Sequence, residues 1–472
     1  MARIAVPFPP ASAKGKFAES GGRLINAYPE KLPDGRTKTS RVPGVRPIIE
    51  TTDYTHCRGA IEINGVVLAA LDDRLVTISL SGGTYTLTDI GALAGSETVY
   101  FARNNKSPTP DIVAVTDSTA YEIDMTTGAS AYPDSDVGSP NSVTFLGGYL
   151  VFGYGNARMR ATGLNDMSIN TLDTAFAESK PDGLLRVVAL GKNLYACGPQ
   201  TIEIWPNIGN PTGFPFSYLG TITRGIAGPD AIAGYENDWS NTLIFAGSDN
   251  VVYRINGNIP EPISSPPVSK DLERLADKAT LRAMVYEHEG HSVWTMSCPD
   301  WTWCYDVSTS SWFERASYDR SNWRASAAVK CFGKWVVGDD TTGQFGVIDP
   351  DYGLEFGGAL TATIVSATMS GFPSRAAITR LDLDIMAGVG EAPGADPVET
   401  DPVVSVSWSH DGGVTFGSPV IRKIGAQGKY KQGVRVNRLG AASAKGFQVK
   451  VAIADPVAVS LFGGQIMVEA RG

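Results

Sequence analysis

The chain of 472 residues holds four histidines, and two of them fall together in Glu287-His288-Glu289-Gly290-His291. With Cys298 and Cys304 they form a set whose residue types could hold zinc. The spacing matches none of the common finger patterns. The histidine run reads as the tip of a hairpin, and the two cysteines as strand positions around another turn. No nucleophile elbow, phosphate loop, dinucleotide fingerprint or zincin helix is present, and four histidines leave few general bases. A pair of carboxylates at glycosidase spacing leaves no sequence signature, so that chemistry stays open. No catalytic residue, metal or cofactor is expected.

Three other patterns carry chemistry of a weaker kind. Ser409-His410-Asp411-Gly412-Gly413-Val414-Thr415-Phe416 resembles the Asp-box of sialidases, whose aspartate binds local backbone N–H groups; here it marks a hairpin. Six of the nine tryptophans lie between Trp294 and Trp335 (Trp294, Trp301, Trp303, Trp312, Trp323 and Trp335). Exposed, they would make a sugar-binding platform; packed inside wedge-shaped sheets they are core, and that reading fits better. Between Asp411 and Asp455 stand eight bases and no acid: Arg422, Lys423, Lys429, Lys431, Arg435, Arg438, Lys445 and Lys450. An ordinary solvated sheet face accounts for such a run. The alternative is a docking surface for an acidic partner, with Arg422, Lys423, Lys429, Lys431, Arg435 and Arg438 as the candidates.

The elements that must position these residues are strands. From about residue 56, short apolar runs alternate with Gly, Asn, Asp and Ser turns at intervals of roughly 8–12 residues. Asn64-Gly65 is a hairpin turn, and Tyr121-Glu-Ile-Asp and Cys304-Tyr-Asp-Val end strands at polar turns. Units with this grammar fall near 57–90, 97–131, 143–176, 184–222, 229–264, 281–313 and 325–349. Their period of roughly 40 residues is that of propeller blades, and six or seven blades fit. Val268, Leu272, Leu275 and Ala276 share one face of a short helix between blades, stopped upstream by Pro266-Pro267 and capped by Ser269. After about 355 the apolar alternation of Leu381, Leu383 and Ile385, of Val404, Val406 and Trp408, and of Val449, Val451 and Ile453 predicts a β-sandwich. The Gly388–Pro402 stretch reads as an exposed loop. The expected architecture is all-β: an extended N-terminal arm (1–55), a β-propeller (56–355) and a C-terminal β-sandwich domain (356–472).

Composition agrees with this class. Hydrophobic residues make up 43%, with 52 glycines and 29 prolines between the strands. The formal charge of −9 makes the chain no magnet for nucleic acid. Cys57, Cys197, Cys298, Cys304 and Cys331 are odd in number and widely spaced, which predicts free buried thiols rather than a disulfide framework. Prolines interrupt the N-terminus at once, and no apolar run approaches the ~20 residues of a membrane span. Synthesis in the cytoplasm without a membrane anchor is expected.

Three ordered sets of short motifs resemble the tail-hub proteins of short-tailed bacteriophages, the packaged-DNA stabilisation proteins or tail accessory factors. The first is Arg23-Leu-Ile-Asn-Ala-Tyr-Pro-Glu with Arg41-Val-Pro-Gly-Val. The second is Glu178-Ser-Lys-Pro-Asp-Gly-Leu, Thr201-Ile-Glu-Ile-Trp and Gly225-Ile-Ala-Gly. The third is the run from Ser407 to Glu469 with Gly446-Phe-Gln-Val-Lys-Val. Pro43-Gly44, Pro181-Asp182-Gly183 and Gly225–Gly228 read as fixed turns. The resemblance implies a structural virion-tail subunit below the head–tail adaptor ring, in a sixfold homo-oligomeric ring. Such a ring surrounds the DNA channel, retains packaged DNA without sequence-specific binding, and carries a needle, spike or fibre. A host-receptor or glycan-binding tail protein and a propeller glycosidase are the competing readings.

Overall fold

The computed structural model describes residues 2–471 apart from 16–18, 52, 211–212, 372–374 and 391–395. Among the described residues, seven four-stranded antiparallel blades follow one another around an axis. The first six draw their strands from 57–92, 100–131, 142–176, 186–222, 232–262 and 282–314. In blades 1 to 4 the second strand is the most buried, as in Ile112–Thr116 of blade 2; in blade 5 both Ile232–Ala233 and Ile244–Ala246 are buried throughout, and in blade 6 so is the third strand, Trp301–Asp306. The outer strands are polar and open to solvent, as in Thr84–Ala92 and Ile259–Pro262. The turn after the third strand has a local cause. Asp124 in blade 2 accepts the N–H groups of Thr126 (2.7 Å) and Thr127 (2.8 Å). Asp306 in blade 6 accepts those of Ser308 (2.9 Å) and the Thr309 hydroxyl (2.7 Å).

Blade 7 has only three strands of its own, from 325–349. Its fourth is Gly44–Ile49, which runs antiparallel to Phe345–Asp349 and so closes the ring with the chain's beginning. Closure sets blade 7 against blade 1 and leaves only the outer strands of the blades as edges. The rest of the N-terminal segment is extended and is paired as well. Ala2–Ala5 and the hairpin Ala27–Lys31/Thr37–Arg41 join the long strand Ser460–Arg471 of the sandwich.

The sandwich stacks two sheets over a core that includes Ile378, Leu381, Val404, Val436, Val449 and Ile466. One sheet runs from the N-terminal hairpin through Ser460–Arg471 and Arg375–Ile385 to the edge strand Val434–Ala442. The other continues blade 6. Arg23–Ile25 lies between Ser311–Glu314 of the blade and Ala362–Val365 of the sandwich. Gln448–Ile453, Val403–Ser409 and Val420–Lys423 follow in that order, which makes one nine-stranded sheet. Alone among the outer strands, Ser311–Glu314 of blade 6 is buried at every position, because this seam covers it.

The helix differs from expectation in register. It spans Pro266–Arg274, with Ser265 at the cap position and both prolines in the first turn. Proline is at home there because first-turn N–H groups have no intrahelical acceptor to lose. Ser269 is inside the helix, and Val268 and Leu272 are its buried face. Of the Gly388–Pro402 stretch, 391–395 lie outside the described residues, and Pro397–Thr400 is one helical turn.

Candidate functional site

The basic run divides between two strands and the turn that joins them. Arg422 and Lys423 end Val420–Lys423, Lys429 and Lys431 lie on the turn, and Arg435 and Arg438 are on Val434–Ala442. These are the last strands of the two sandwich sheets, so the six residues line the sandwich edge farthest from blade 6. They are not equivalent. Lys423 pairs with Asp401. Arg435 pairs with Asp382 at 2.6 Å, and the two arginines Arg435 and Arg380 hold that carboxylate below its usual range against the effect of burial. Arg422 donates to the carbonyls of Arg435 and Ile421, both at 2.8 Å, which ties the two sheets together. Lys429, Lys431 and Arg438 are exposed, and no carboxylate among the described residues pairs with them. Tyr430 (74% exposed) and Ile421 (55%) stand among them.

At the propeller axis the first strands of the blades converge, and side chains bridge the space between them. Asp230, just ahead of blade 5, accepts from Thr98 Oγ1 and Tyr100 OH of blade 2, both at 2.7 Å. Arg186 of blade 4 is 3.4 Å away. The Asp230 carbonyl accepts the Ala283 N–H of blade 6 at 2.7 Å. Arg186 is also held between the rings of Tyr100 (4.4 Å) and Tyr235 (5.0 Å). Burial works against its charge, but Tyr235, Tyr100 and Asp230 outweigh it and keep the guanidinium protonated. This bridge left no local signal in the sequence, since its four parts lie on four blades.

The candidate metal set is not assembled. His288 and His291 face each other across the tip of the blade 6 hairpin, with ring centroids 5.3 Å apart. Cys298 is at the far end of the strand that His291 begins, about 23 Å away at ~3.3 Å per residue. Cys304 pairs with Thr295 in mid-strand. All five cysteines are free and buried, and burial pushes the thiols of Cys57 and Cys331 up to about 11. Tyr28 of the N-terminal hairpin stands edge-on to both histidines, and His291 Nδ1 is 2.7 Å from Asp306.

All six clustered tryptophans are buried, none more than 8% exposed, so they form core and no open platform. Trp303 donates to Asp271, Trp312 to the Ile263 carbonyl and Trp323 to Glu355. The Asp-box forms its hairpin. Asp411 accepts from Ser409 Oγ (2.6 Å), from the N–H groups of Thr415 and Val414 (3.0 Å each) and from Thr415 Oγ1 (2.7 Å), which holds it far below the usual carboxylate range.

The motif residues are staples. Asn26 donates to the carbonyls of Ala316 (2.7 Å) and Thr361 (3.1 Å) and accepts the Ala316 N–H, so one side chain joins the exit of blade 6 to the entry of the sandwich. Arg315, fully buried on Trp323, donates to the Pro43 carbonyl. The Ser179 N–H bonds Glu203, linking two motif segments between blades 3 and 4. Gly183 occupies a left-handed turn (φ +75°). Gly44 and Gly225 have ordinary φ and are small for another reason: added Cβ atoms would meet backbone at 1.9 and 2.1 Å.

No helix among the described residues is long and apolar enough to cross a membrane. Searching solved structures finds the WD40 β-propeller domain of Doa1, with 9% identity, 65% of this chain and 96% of that one covered, and a TM-score of 0.42. It also finds PorZ, a type-IX secretion component of Porphyromonas gingivalis (10% identity, 71% and 44% covered, TM-score 0.41), and the designed protein Ika8 (9%, 64% and 99%, TM-score 0.40). No curated protein matches. Two family models match in succession: "Bacteriophage P22 Gp10, beta-propeller" over residues 27–353 and "Bacteriophage P22 Gp10, beta-sandwich" over 365–469. The chain therefore belongs to the bacteriophage P22 Gp10 family, a family of phage tail structural proteins.

Proposed function

We propose that this chain is the hub subunit of a short-tailed bacteriophage tail. Several copies form a sixfold ring below the head–tail adaptor ring, surround the DNA exit channel, retain the packaged genome and carry a needle, spike or fibre. The ring is assembled in the host cytoplasm and acts mechanically, without catalysis. The observation that carries this reading is the pair of family matches in order over residues 27–469.

Two physical features support it. Residues 56–355 hold 35 Asp and Glu against 20 Lys and Arg, and walls of that sign let DNA slide past without gripping it. The bridge at Asp230 and Arg186 crosses each propeller's own axis, which leaves the DNA path to the space between copies. The glycan-binding alternative loses its motivation, because the aromatic cluster behind it is core.

Removing the gene from its phage and imaging particles by negative stain tests the proposal. Heads that bear the adaptor, have lost DNA and lack distal tail parts are expected. Full heads with intact tails would sink the hub reading.

A further inference from the structure

We propose that copies of this chain join head to tail, the basic sandwich edge of one copy seating on the outer edges of blades 3 and 4 of the next. The inference rests on the ring proposed above and names its two surfaces.

The receiving surface is marked by misplaced apolar area. Of the 14 large hydrophobic side chains exposed among the described residues, six lie between positions 164 and 219: Leu164, Leu172, Phe176, Ile208, Tyr218 and Leu219. Such clustering on a soluble surface marks a contact site. Leu172 (82% exposed) and Phe176 (46%) belong to Ile169–Phe176, the outer strand of blade 3, whose free edge is eight residues long. Tyr218 and Leu219 lead into the outer strand of blade 4, and a 2.6 Å hydrogen bond between Ser179 and Thr221 joins the two segments. Around them stand Asp166, Asp173 and Glu178, against the exposed cations Lys180 and Lys192, while the exposed Arg224 is already paired with Asp249.

The inserting surface is its complement. Tyr430 and Ile421 are the exposed apolar groups, and Lys429, Lys431 and Arg438 are exposed cations that no carboxylate among the described residues pairs with. Matching apolar with apolar and base with acid favours this partner over a like copy of either surface. Placement agrees. The sandwich grows from blade 6, and its basic edge is five strands beyond that blade's outer strand, about 24 Å at ~4.8 Å per strand. Blade 3 is three blades away in one direction and four in the other, on the opposite side of the propeller. Two different surfaces at opposite ends make a heterologous contact, which propagates until rotation closes it into a ring.

Cysteine pairing tests the contact, since the five native thiols are buried. Full-length Leu172→Cys and Tyr430→Cys chains are mixed at high concentration under mild oxidation. The expected result is covalent dimer about tenfold above that from either variant alone, lost when Lys429, Lys431 and Arg438 all become Glu. In phage particles carrying both cysteines, non-reducing gels should show a ladder of multiples. Tails with several copies that stay uncross-linked would overturn the two surfaces and leave the ring standing. Tails with a single copy would overturn both, and self-linking of either variant alone would replace head-to-tail with a twofold contact.

Discussion

The residues that stand out chemically in this chain are used for holding. His288 and His291 show how. Burial first, then the neighbouring His291 and Arg315, depress the His288 pKa from 6.5 to about 3. The unfolded state takes up a proton near 6.5 that folded His288 refuses, so this group subtracts stability as pH falls below 6.5. His291 has the opposite sign. Burial opposes its charge, but the Asp306 hydrogen bond outweighs burial and raises its pKa. Its contribution is complete below 6.5 and fades as pH rises through the raised value. Between pH 7 and pH 5, His288 should withdraw roughly 2 kcal/mol. His288→Phe removes that loss and keeps the His291–Asp306 pair, so its melting temperature should hold or rise on acidification where the native chain's falls. Parallel declines in the two proteins would refute the assignment.

At the scale of elements, the decisive one is Gly44–Ile49. It closes blade 7 and threads a space with no room for a Cβ: one on Gly44 would lie 1.9 Å from the Tyr352 carbonyl oxygen and 2.4 Å from that of Leu354. Backbone on both sides cannot yield as a side chain end would. Gly44→Ala should therefore cost about 3 kcal/mol, read as a lower urea midpoint. Gly433→Ala, where a Cβ meets nothing within 4 Å, should leave the midpoint unchanged. The same strand shows what a sequence does and does not disclose. All seven blade units were legible because strand, Asp turn and strand are local events, as at Asp124 and Asp306. The partner of Phe345–Asp349 lies some 300 residues upstream, and no local pattern names it. Likewise Pro43-Gly44 was recognisable as a motif, but its reason is the distant backbone of 352–354 rather than a turn. The basic run was visible as charge. Its division into Lys423 and Arg435, already paired, and Lys429, Lys431 and Arg438, which pair with no carboxylate among the described residues, required the positions of Asp401 and Asp382.

For the whole molecule, propeller and sandwich are two architectures built on one sheet. Arg23–Ile25 is hydrogen-bonded to a blade on one side and to the sandwich on the other, and Asn26 bonds both. The chain then enters the sandwich hairpin and leaves it to close blade 7. Neither unit can lose its fold without stripping strands from the other, so the two should melt together. Scanning calorimetry of the full chain should show a single cooperative transition, and two resolved peaks would contradict the shared-sheet account. Asn26→Ala sharpens the test. It removes the hydrogen bonds of the Ala316 N–H and of the Ala316 and Thr361 carbonyls at the buried seam, at a cost of roughly 2–4 kcal/mol. If the seam couples the domains, the single peak should move down intact. Were Asn26 a staple of one domain alone, the peak would split, with only that domain's half displaced. In the hub role proposed above, such coupling would have a mechanical use: load on the sandwich edge would pass from strand to hydrogen-bonded strand of the shared sheet into blade 6, without reaching a hinge.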